Sequence, residues 1–295
     1  MSKAFLFPGQ GSQYIGMGKD HYKSTPLFAD YVDQANEILG FDLKSIMFDG
    51  PEEKLKQTEF TQPAIFLHSV ALFKTLNEVP DMVAGHSLGE FSALVACGAV
   101  SFEDALKIVC QRGELMQHAG ALNPGTMAAI IGMEDDIVVE VCKQASIKSG
   151  KEVVAANFNC PGQLVISGYF EAVEKAVELA KEQGARMAML LPVSGAFHSS
   201  LMQPALDGLR EELENLIINT PNCPIYSNFT GKPTTNPEEI RSNLLDQLLN
   251  PVRWTQTIHN IMEDGAESFV EVGPGKVLQG LVKRTNRKAE TSGHQ

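Results

Sequence analysis

The 295-residue chain is poor in cysteine, in basic residues and in long apolar runs, and each shortage excludes a class of protein. Its five cysteines include no C-x-x-C pair, which argues against a disulfide framework and against a structural zinc site. Lysine and arginine number 24 against 36 acidic residues, and the resulting net charge of −12 disfavours nonspecific nucleic-acid binding. No apolar stretch approaches the ~18 residues that span a membrane. We therefore expect a cytoplasmic protein with neither a nucleic-acid nor a membrane partner.

The two ends of the chain are expected to contribute little to the fold. The opening "MSKAFLFPGQG" has one lysine and a short apolar run that stops at Pro8, so we expect no signal peptide. The closing "RKAETSGHQ" is polar, and we predict a disordered tail over 289–295.

Between these ends, strand-like and helix-like segments alternate, which predicts an α/β fold. The runs "AFLF" and "MVAG" are typical of buried strands. From Thr126 to Ser194 the predicted order changes to βαββαβ, the ferredoxin-like arrangement. We therefore predict a larger α/β domain formed by 1–124 and 195–288, interrupted by a ferredoxin-like insertion over 125–194.

The stretch "GHSLGE", residues 85 to 90, places a serine between a predicted strand and a predicted helix. G-x-S-x-G in that setting is typical of a nucleophile elbow, and the tight turn explains the small residues Gly85 and Gly89. The first N–H groups of the helix, with its dipole, can stabilise an oxyanion. We predict that Ser87 is a nucleophile. The alternative is that Ser87 only caps the helix, because serine is a good N-cap and the short pattern also occurs by chance.

A serine nucleophile needs a base, and the candidate is the histidine in "GAFHSS". His198 follows a predicted strand and directly precedes a predicted helix, whose N-terminus keeps the imidazole neutral and able to accept a proton. The alternative is a solvent-exposed loop histidine. No acid stands out between Ser87 and His198, where an ordinary hydrolase would have one. Another acceptor, such as a backbone carbonyl, would then have to orient the ring.

The predicted helix that begins at Ser101 carries an arginine among apolar residues. Its spacing puts Arg112 on the same side as Ile108 and Met116. A guanidinium there stays charged and must find an anion. One interpretation is an internal salt bridge. The other is a bidentate clamp on a substrate carboxylate, which would select a dicarboxylic half-thioester.

The glycine-rich loop "FPGQGSQYIGMG" follows the first predicted strand. It lacks the G-K-[ST] ending of a phosphate loop, and its glycine spacing is not G-x-G-x-x-G, which argues against nucleotide binding. A backbone N–H from this loop could instead complete an oxyanion hole with the N–H that follows Ser87.

Seven motifs together carry a family resemblance that covers about residues 3–284. In chain order they are "FPGQGSQ", "GHSLGE", "QRGELMQ", "NFNCPGQ", "GAFHS", "NPVRW" and "EVGPGKVLQGL". The chain resembles the malonyl-CoA:acyl carrier protein transacylases of fatty acid synthesis. The resemblance implies a larger α/β-hydrolase-like part with a ferredoxin-like insertion.

The resemblance also implies a role for individual residues. It makes Ser87 the nucleophile and His198 the general base, and it assigns Arg112 to the malonyl carboxylate. It places the backbone N–H groups of Gln10 and Leu88 in the oxyanion hole.

Two further positions match active-site residues of the family. The resemblance implies that Gln247 offers its main-chain carbonyl to the histidine, which would supply the missing orienting group. Asn159 matches a supporting position.

The acyl pocket is expected to include Met116 and Phe197. The "AFH" at Phe197 is similar to the form in malonyl-selective relatives, whereas methylmalonyl-selective domains usually carry "ASH". A bulky ring would crowd an α-methyl branch, which favours malonyl over methylmalonyl. The alternative is that Phe197 only packs in the core.

The implied reaction is ping-pong transfer of a malonyl group through a malonyl-serine, with malonyl-CoA and acyl carrier protein as partners. No cofactor is expected, and we expect a monomer. The alternative is a serine hydrolase or thioesterase, which shares the elbow but has no need of Arg112.

Overall fold

The computed structural model describes residues 2–295 and shows a mixed α/β protein with two β-sheets. The strands within these residues are, in chain order, β1 (Lys3–Phe7), β2 (Met82–Gly85), β3 (Thr126–Ile131), β4 (Val153–Cys160), β5 (Gln163–Gly168), β6 (Met187–Leu190), β7 (Ile225–Tyr226), β8 (Pro233–Thr234), β9 (Ser268–Val272) and β10 (Glu290–His294).

Helices alternate with these strands along most of the chain. The α-helices within residues 2–295 are, in chain order, α1 (Lys19–Ser24), α2 (Pro26–Leu39), α3 (Leu43–Asp49), α4 (Glu52–Leu55), α5 (Thr58–Leu76), α6 (Gly89–Ala96), α7 (Phe102–Leu122), α8 (Asp135–Ser149), α9 (Phe170–Glu182), α10 (Gln203–Asn215), α11 (Pro237–Gln247), α12 (Trp254–Glu263) and α13 (Val277–Thr285). A short 3₁₀ turn over Ser200–Met202 precedes α10.

The larger sheet has the strand order β10-β9-β1-β2-β7-β8, and every pair except β7–β8 is parallel. Its central strands are apolar on both faces because helices cover both sides, as expected for a parallel sheet. Phe7 pairs with Gly85, so β1 and β2 end side by side. The loops after these two strands therefore meet at the carboxyl edge of the sheet, where open α/β sheets form their binding sites.

The smaller sheet is antiparallel, in the order β4-β5-β3-β6, and all its strands lie between residues 126 and 190. Helices α8 and α9 cover one of its faces and share an apolar core with it. A second apolar cluster connects the smaller sheet to the rest of the protein. It combines Met127 and Val165 of the smaller sheet with Met116 of α7 and Phe197, which precedes α10.

The smaller sheet is also fastened to the larger part through its longest strand. The N–H of Phe158 donates to the carbonyl of Val252 over 2.9 Å, and the N–H of Val252 donates to Ala156 over 2.9 Å. The hydroxyl of Thr255 donates to the carbonyl of Phe158. These bonds hold the end of β4 beside the carboxyl edge of the larger sheet.

Most strands and helices expected from the sequence are confirmed, including "AFLF" as β1 and "MVAG" as β2. The helix expected from Ser101 is α7, and the Ser101 side chain accepts a hydrogen bond from the N–H of Asp104. None of the described helices combines the length and the apolar character needed to cross a membrane.

The prediction of a disordered tail over 289–295 is wrong. Residues Glu290–His294 form β10, which pairs in parallel with β9 at the edge of the larger sheet. The pairing is made by main-chain groups, which a polar sequence supplies as well as an apolar one. Side-chain composition therefore gave no sign of this strand.

A substitution at Gly89 tests the close packing of the elbow against the sheet. A Cβ there would lie 2.0 Å from the carbonyl oxygen of Phe7, so Gly89→Ala must displace β1 or α6. We expect a fall of about 3 kcal/mol in the free energy of unfolding, measured by urea titration.

The matched control is Gly280→Ala on the exposed side of α13, where an added Cβ meets nothing within 4 Å. It should raise the free energy of unfolding by about 0.5–1 kcal/mol because alanine favours a helix over glycine. Equal stability of Gly89→Ala and the parent would contradict this close packing of the elbow against β1.

Candidate active site

The turn between β2 and α6 holds its serine in a strained conformation. Ser87 has φ 51°, in the left-handed region that L-residues other than glycine rarely adopt. Its N–H donates to the side-chain oxygen of Asn228 over 2.6 Å, and the Asn228 amide donates to the carbonyl of Gly85 over 2.6 Å. Asn228 therefore ties both sides of the turn, and the strain is maintained by specific contacts.

The hydroxyl of Ser87 lies 2.9 Å from Nε2 of His198, and Nδ1 of the same ring lies 3.0 Å from the main-chain oxygen of Gln247. A carbonyl oxygen only accepts, so Nδ1 carries the proton and Nε2 is free to accept one from the serine. The structure thus brings together the predicted nucleophile and base. It also places a backbone carbonyl where an acid stands in ordinary hydrolases.

His198 is buried and electrically neutral. Burial lowers its pKa to about 3, and the positive charge of Arg112 acts in the same direction. His198 also has a positive φ, of 57°. Among residues 2–295 only three residues other than glycine have positive φ, and two of them are Ser87 and His198. Backbone strain concentrates at functional sites, and here it concentrates on the hydrogen-bonded pair.

The guanidinium of Arg112 faces the same hydroxyl. Nη2 lies 3.3 Å from Oγ of Ser87 and 3.1 Å from the side-chain oxygen of Gln247, while Nη1 donates to the side-chain oxygen of Gln62 over 2.7 Å. Arg112 is 1% exposed, and its guanidinium also packs over the ring of Phe91. Burial lowers its pKa to about 10, against the opposing effect of the Glu90 carboxylate, so the group remains charged near neutral pH.

Arg112 forms no ion pair within 4.0 Å in the part of the chain that the structure describes. The interpretation of Arg112 as half of an internal salt bridge is therefore not supported by contact with any acid. Its acceptors are neutral oxygens of two amides and one hydroxyl. A buried cation with only neutral partners can still take a carboxylate as ligand.

Behind Arg112 lies a second layer of polar side chains. The Gln247 amide donates to the Glu90 carboxylate over 2.7 Å and to the carbonyl of Ser87 over 3.0 Å. Glu90 also accepts the N–H of Asn228 over 3.2 Å and is 3% exposed. Burial raises the pKa of Glu90 to about 7, although these hydrogen bonds and the charge of Arg112 oppose the shift.

The sequence motifs did not predict Gln62, Glu90 and Asn228 as residues of the site. Two of them left a usable signal, because Glu90 is the one charged residue in the apolar run "GEFSALVA" and Asn228 follows the short strand β7 at the carboxyl edge of the sheet. A charge within an otherwise apolar helix requires a partner. Gln62 gave no comparable signal.

The loop after β1 approaches the elbow so closely that its second residue must be glycine. A Cβ on Gly9 would lie 2.4 Å from the carbonyl oxygen of His86. The hydroxyl of Ser12 donates to the carbonyl of Gly9 over 2.9 Å and braces the loop. Gln10, Ser87 and Leu88 all line the same cleft. Their role as oxyanion donors stays a prediction.

Asn159, at the end of β4, contacts the elbow and not the serine itself. Its side-chain oxygen lies 2.8 Å from Nε2 of His86, whose ring packs 5.4 Å from that of Trp254. Asn159 thus links the smaller sheet to the residue before Ser87. The resemblance matches Asn159 to a supporting position, and the observed partner of its side chain is His86.

A cleft of about 240 Å³ opens above Ser87 between the two parts of the chain. Met116, Met127, Val165, Leu191 and Phe197 form its apolar wall. The predicted pocket residues Met116 and Phe197 therefore both border the same cleft as Ser87. Within residues 2–295, no three His, Cys, Asp or Glu side chains are grouped to hold a metal ion.

A strained serine hydrogen-bonded to a neutral imidazole is typical of proteins that transfer acyl groups, to water or to another acceptor, through a nucleophilic serine. A family model described as an acyl transferase domain matches residues 4–294. The malonyl CoA-acyl carrier protein transacylase of Bacillus subtilis (strain 168) is 47% identical over 295 residues, covering 99% of this chain and 93% of that protein. The chain belongs to the acyl transferase family and, within it, to the malonyl CoA-acyl carrier protein transacylases.

Solved structures give the same result. The malonyl CoA-acyl carrier protein transacylase from Coxiella burnetii is similar with a TM-score of 0.96 and 41% identity, over 99% of this chain and 93% of that one. A malonyl-transacylase solved in complex with its type II PKS acyl-carrier protein has a TM-score of 0.94 and 41% identity, over 99% of this chain and 95% of that one.

The buried state of His198 predicts a specific dependence of stability on acid. Its pKa in the folded protein is about 3, below the ordinary value of 6.5, so the native state binds fewer protons than the unfolded state. The stability that comes from the neutral ring is complete above about pH 6.5 and is lost as the pH falls towards 3. His198→Asn removes the titrating ring, and asparagine tolerates the positive φ.

We expect the slope of unfolding free energy against pH, measured by urea titration between pH 5.5 and 4, to fall by about 1.4 kcal/mol per pH unit in His198→Asn. Ser87→Ala, which keeps the buried imidazole, serves as the control and should retain the parent slope. An unchanged slope in His198→Asn would show that the ring is protonated in the folded protein.

Proposed function

We propose that the protein transfers the malonyl group of malonyl-CoA to the phosphopantetheine thiol of an acyl carrier protein, through a malonyl-serine at Ser87. Membership of the family supports this reaction, and one relative was solved with its acyl-carrier protein. The carrier and the coenzyme A thioester would use the cleft above the serine in turn.

The observation that carries the proposal is the position of Arg112. Its guanidinium lies 3.3 Å from the nucleophilic oxygen and contacts no carboxylate of the protein. A malonyl unit joined to Ser87 carries a carboxylate two carbons from its carbonyl, so both ends of the unit can be held at once. An acetyl unit would leave the buried guanidinium with neutral acceptors only, and the site would thus discriminate by charge.

In the first half of the reaction, Nε2 of His198 takes the proton of Ser87 while the serine oxygen attacks the thioester carbonyl. The N–H groups of Gln10 and Leu88 stabilise the tetrahedral oxyanion. The carbon–sulfur bond then breaks, and the coenzyme A sulfur leaves with the proton from the imidazolium. The malonyl-serine ester remains.

In the second half, the phosphopantetheine thiol gives its proton to His198 and attacks the ester carbonyl. The oxyanion forms again at the same two N–H groups. The bond to the serine oxygen breaks, and Ser87 recovers its proton from the imidazolium. Every proton is carried by His198, so the mechanism uses only side chains and backbone amides of this chain.

We also propose that residues 125–194 are a ferredoxin-like insertion in an α/β-hydrolase-like part formed by 1–124 and 195–288. The antiparallel order β4-β5-β3-β6 supports the first description, and the parallel strands around β1 and β2 with the elbow between β2 and α6 support the second. This division places the active-site cleft where the two parts meet.

Removal of the guanidinium tests the charge-based selection. In Arg112→Ala, we expect malonyl loading of Ser87 to fall about 100-fold, because a charge-assisted hydrogen-bonded pair contributes about 3 kcal/mol. Acetyl loading should hold or improve. Intact-mass analysis after separate incubation with malonyl-CoA and acetyl-CoA measures both, and Ser87→Ala should abolish all labelling.

Arg210→Ala provides the matched control, since Arg210 lies on α10 with its side chain 48% exposed. It should load like the parent. Equal labelling of the unmodified protein by malonyl-CoA and acetyl-CoA would refute selection by Arg112. Release of free malonate as fast as transfer to the carrier would instead identify a thioesterase.

The ring of Phe197 provides a separate test of selection by size. Phe197 is 6% exposed and borders the cleft next to His198. Phe197→Ser should raise methylmalonyl loading relative to malonyl loading about tenfold, because one methyl group accounts for about 1–3 kcal/mol of discrimination. Competition between the two thioesters, followed by mass analysis, gives the ratio. An unchanged ratio would mean that Phe197 only packs in the core.

A further inference from the structure

We propose that Glu90 is a positioning residue for the selection of a charged acyl donor, and that it acts on Arg112 through the side-chain amide of Gln247. The proposal rests on the proposed function, in which Arg112 binds the donor carboxylate. Glu90 would keep that arginine buried, charged and free to bind.

Glu90 requires an explanation because it is a buried acid without a cation in contact. It lies in the first turn of α6, is 3% exposed, and has no ion pair within 4.0 Å among residues 2–295. Burying a carboxylate in this way is unfavourable unless it is hydrogen-bonded and compensated by charge. Glu90 receives two hydrogen bonds, from the Gln247 amide and from the N–H of Asn228.

Gln247 connects the acid to the arginine in one orientation only. Its nitrogen donates to Glu90 over 2.7 Å and its oxygen accepts from Arg112 over 3.1 Å. Rotating the amide by half a turn would set its oxygen against the carboxylate and its N–H groups against the guanidinium. The two charged neighbours therefore determine the orientation, and each strengthens the bond that the other makes.

The separation of Glu90 and Arg112 by one amide leaves the arginine free to bind a ligand. If Glu90 touched Arg112 directly, an incoming carboxylate would have to displace an anion from a salt bridge. With one amide between them, Arg112 has a compensating charge nearby, and its contacts in the cleft are only the neutral oxygens of Gln62, Gln247 and Ser87. A malonyl carboxylate is a stronger acceptor than any of these and can replace them.

The same residue also contacts His198, through its main chain. The main-chain oxygen of Gln247 accepts from Nδ1 of His198, and its side-chain nitrogen donates to the carbonyl of Ser87. Loss of a charge at Glu90 should therefore change donor binding through Arg112 while leaving these backbone-directed contacts in place. Burial raises the pKa of Glu90 to about 7, so assays at pH 8 keep its carboxylate ionised.

The test compares Glu90→Gln with the parent at pH 8, using malonyl-CoA and acetyl-CoA. Glutamine keeps the volume and an acceptor oxygen for Gln247, and it removes the charge. We expect KM for malonyl-CoA to rise about tenfold, while the rate of acetyl loading stays within about twofold. Glu103→Gln is the matched control, because it removes a charge from the same region of sequence at a side chain that is 53% exposed.

The decisive measurement is the same substitution in the Arg112→Ala background. If Glu90 acts through Arg112, Glu90→Gln should no longer change the ratio of malonyl to acetyl loading there. An equal change with and without Arg112, or equal losses of malonyl and acetyl loading in Glu90→Gln, would overturn the proposal. If Arg112→Ala itself leaves the ratio unchanged, the proposed function fails instead, so the two failures are distinguishable.

A charge exchange keeps the proposal falsifiable should Glu90→Gln not fold. The double variant Glu90→Gln with Gln247→Glu moves the carboxylate from residue 90 to residue 247, whose side chain contacts Arg112. The total charge is unchanged. We expect this variant to lose at least tenfold in malonyl loading relative to acetyl loading, because the new carboxylate competes with the donor. Retention of the parent ratio would overturn the proposal.

Discussion

The structure of this site depends on one constraint, which is that a guanidinium must remain charged in the interior without being neutralised by contact. Arg112 is almost completely buried, yet its hydrogen bonds go to two amide oxygens and a hydroxyl. Removing a charge from water is expensive, and the nearest compensation is the Glu90 carboxylate behind Gln247. Under the proposed function, the carboxylate of the malonyl donor would supply the missing anion.

Gln247 connects the two chemical requirements of the site. Its main-chain oxygen fixes the tautomer of His198, and its side chain lies between Glu90 and Arg112. Gln247 is the last residue of α11. The residue whose main chain orients His198 thus also contacts Arg112 through its side chain.

Local patterns in the sequence predicted the parts of the site that depend on neighbours in the chain. The elbow needs a strand, a tight turn and a helix, and all three are encoded between residues 82 and 96. Helical spacing in α7 predicted the burial of Arg112. The spacing could not predict that Arg112 lacks a salt bridge, because the chain has 36 acidic residues that could have been its partner. The motif resemblance supplied the Gln247 carbonyl, which no spacing could have indicated.

The remaining features depend on contacts between distant segments. Asn228 reaches the elbow because β7 pairs with β2, and Gln62 reaches Arg112 because α5 packs on α7. The strand β10 exists because β9 offers it an open edge, and not because its side chains favour a strand. Such pairings depend on tertiary context, which a single sequence does not display.

The position of β1 in the larger sheet has a consequence for biosynthesis. This apolar strand lies between β2 and β9, and its partner β9 is encoded roughly 265 residues after it. At ribosomal speeds of about 5–20 residues per second, one side of β1 waits roughly 13 to 50 seconds for its neighbour. During that interval the nascent polypeptide exposes an unpaired hydrophobic edge, the kind of surface that molecular chaperones protect from aggregation.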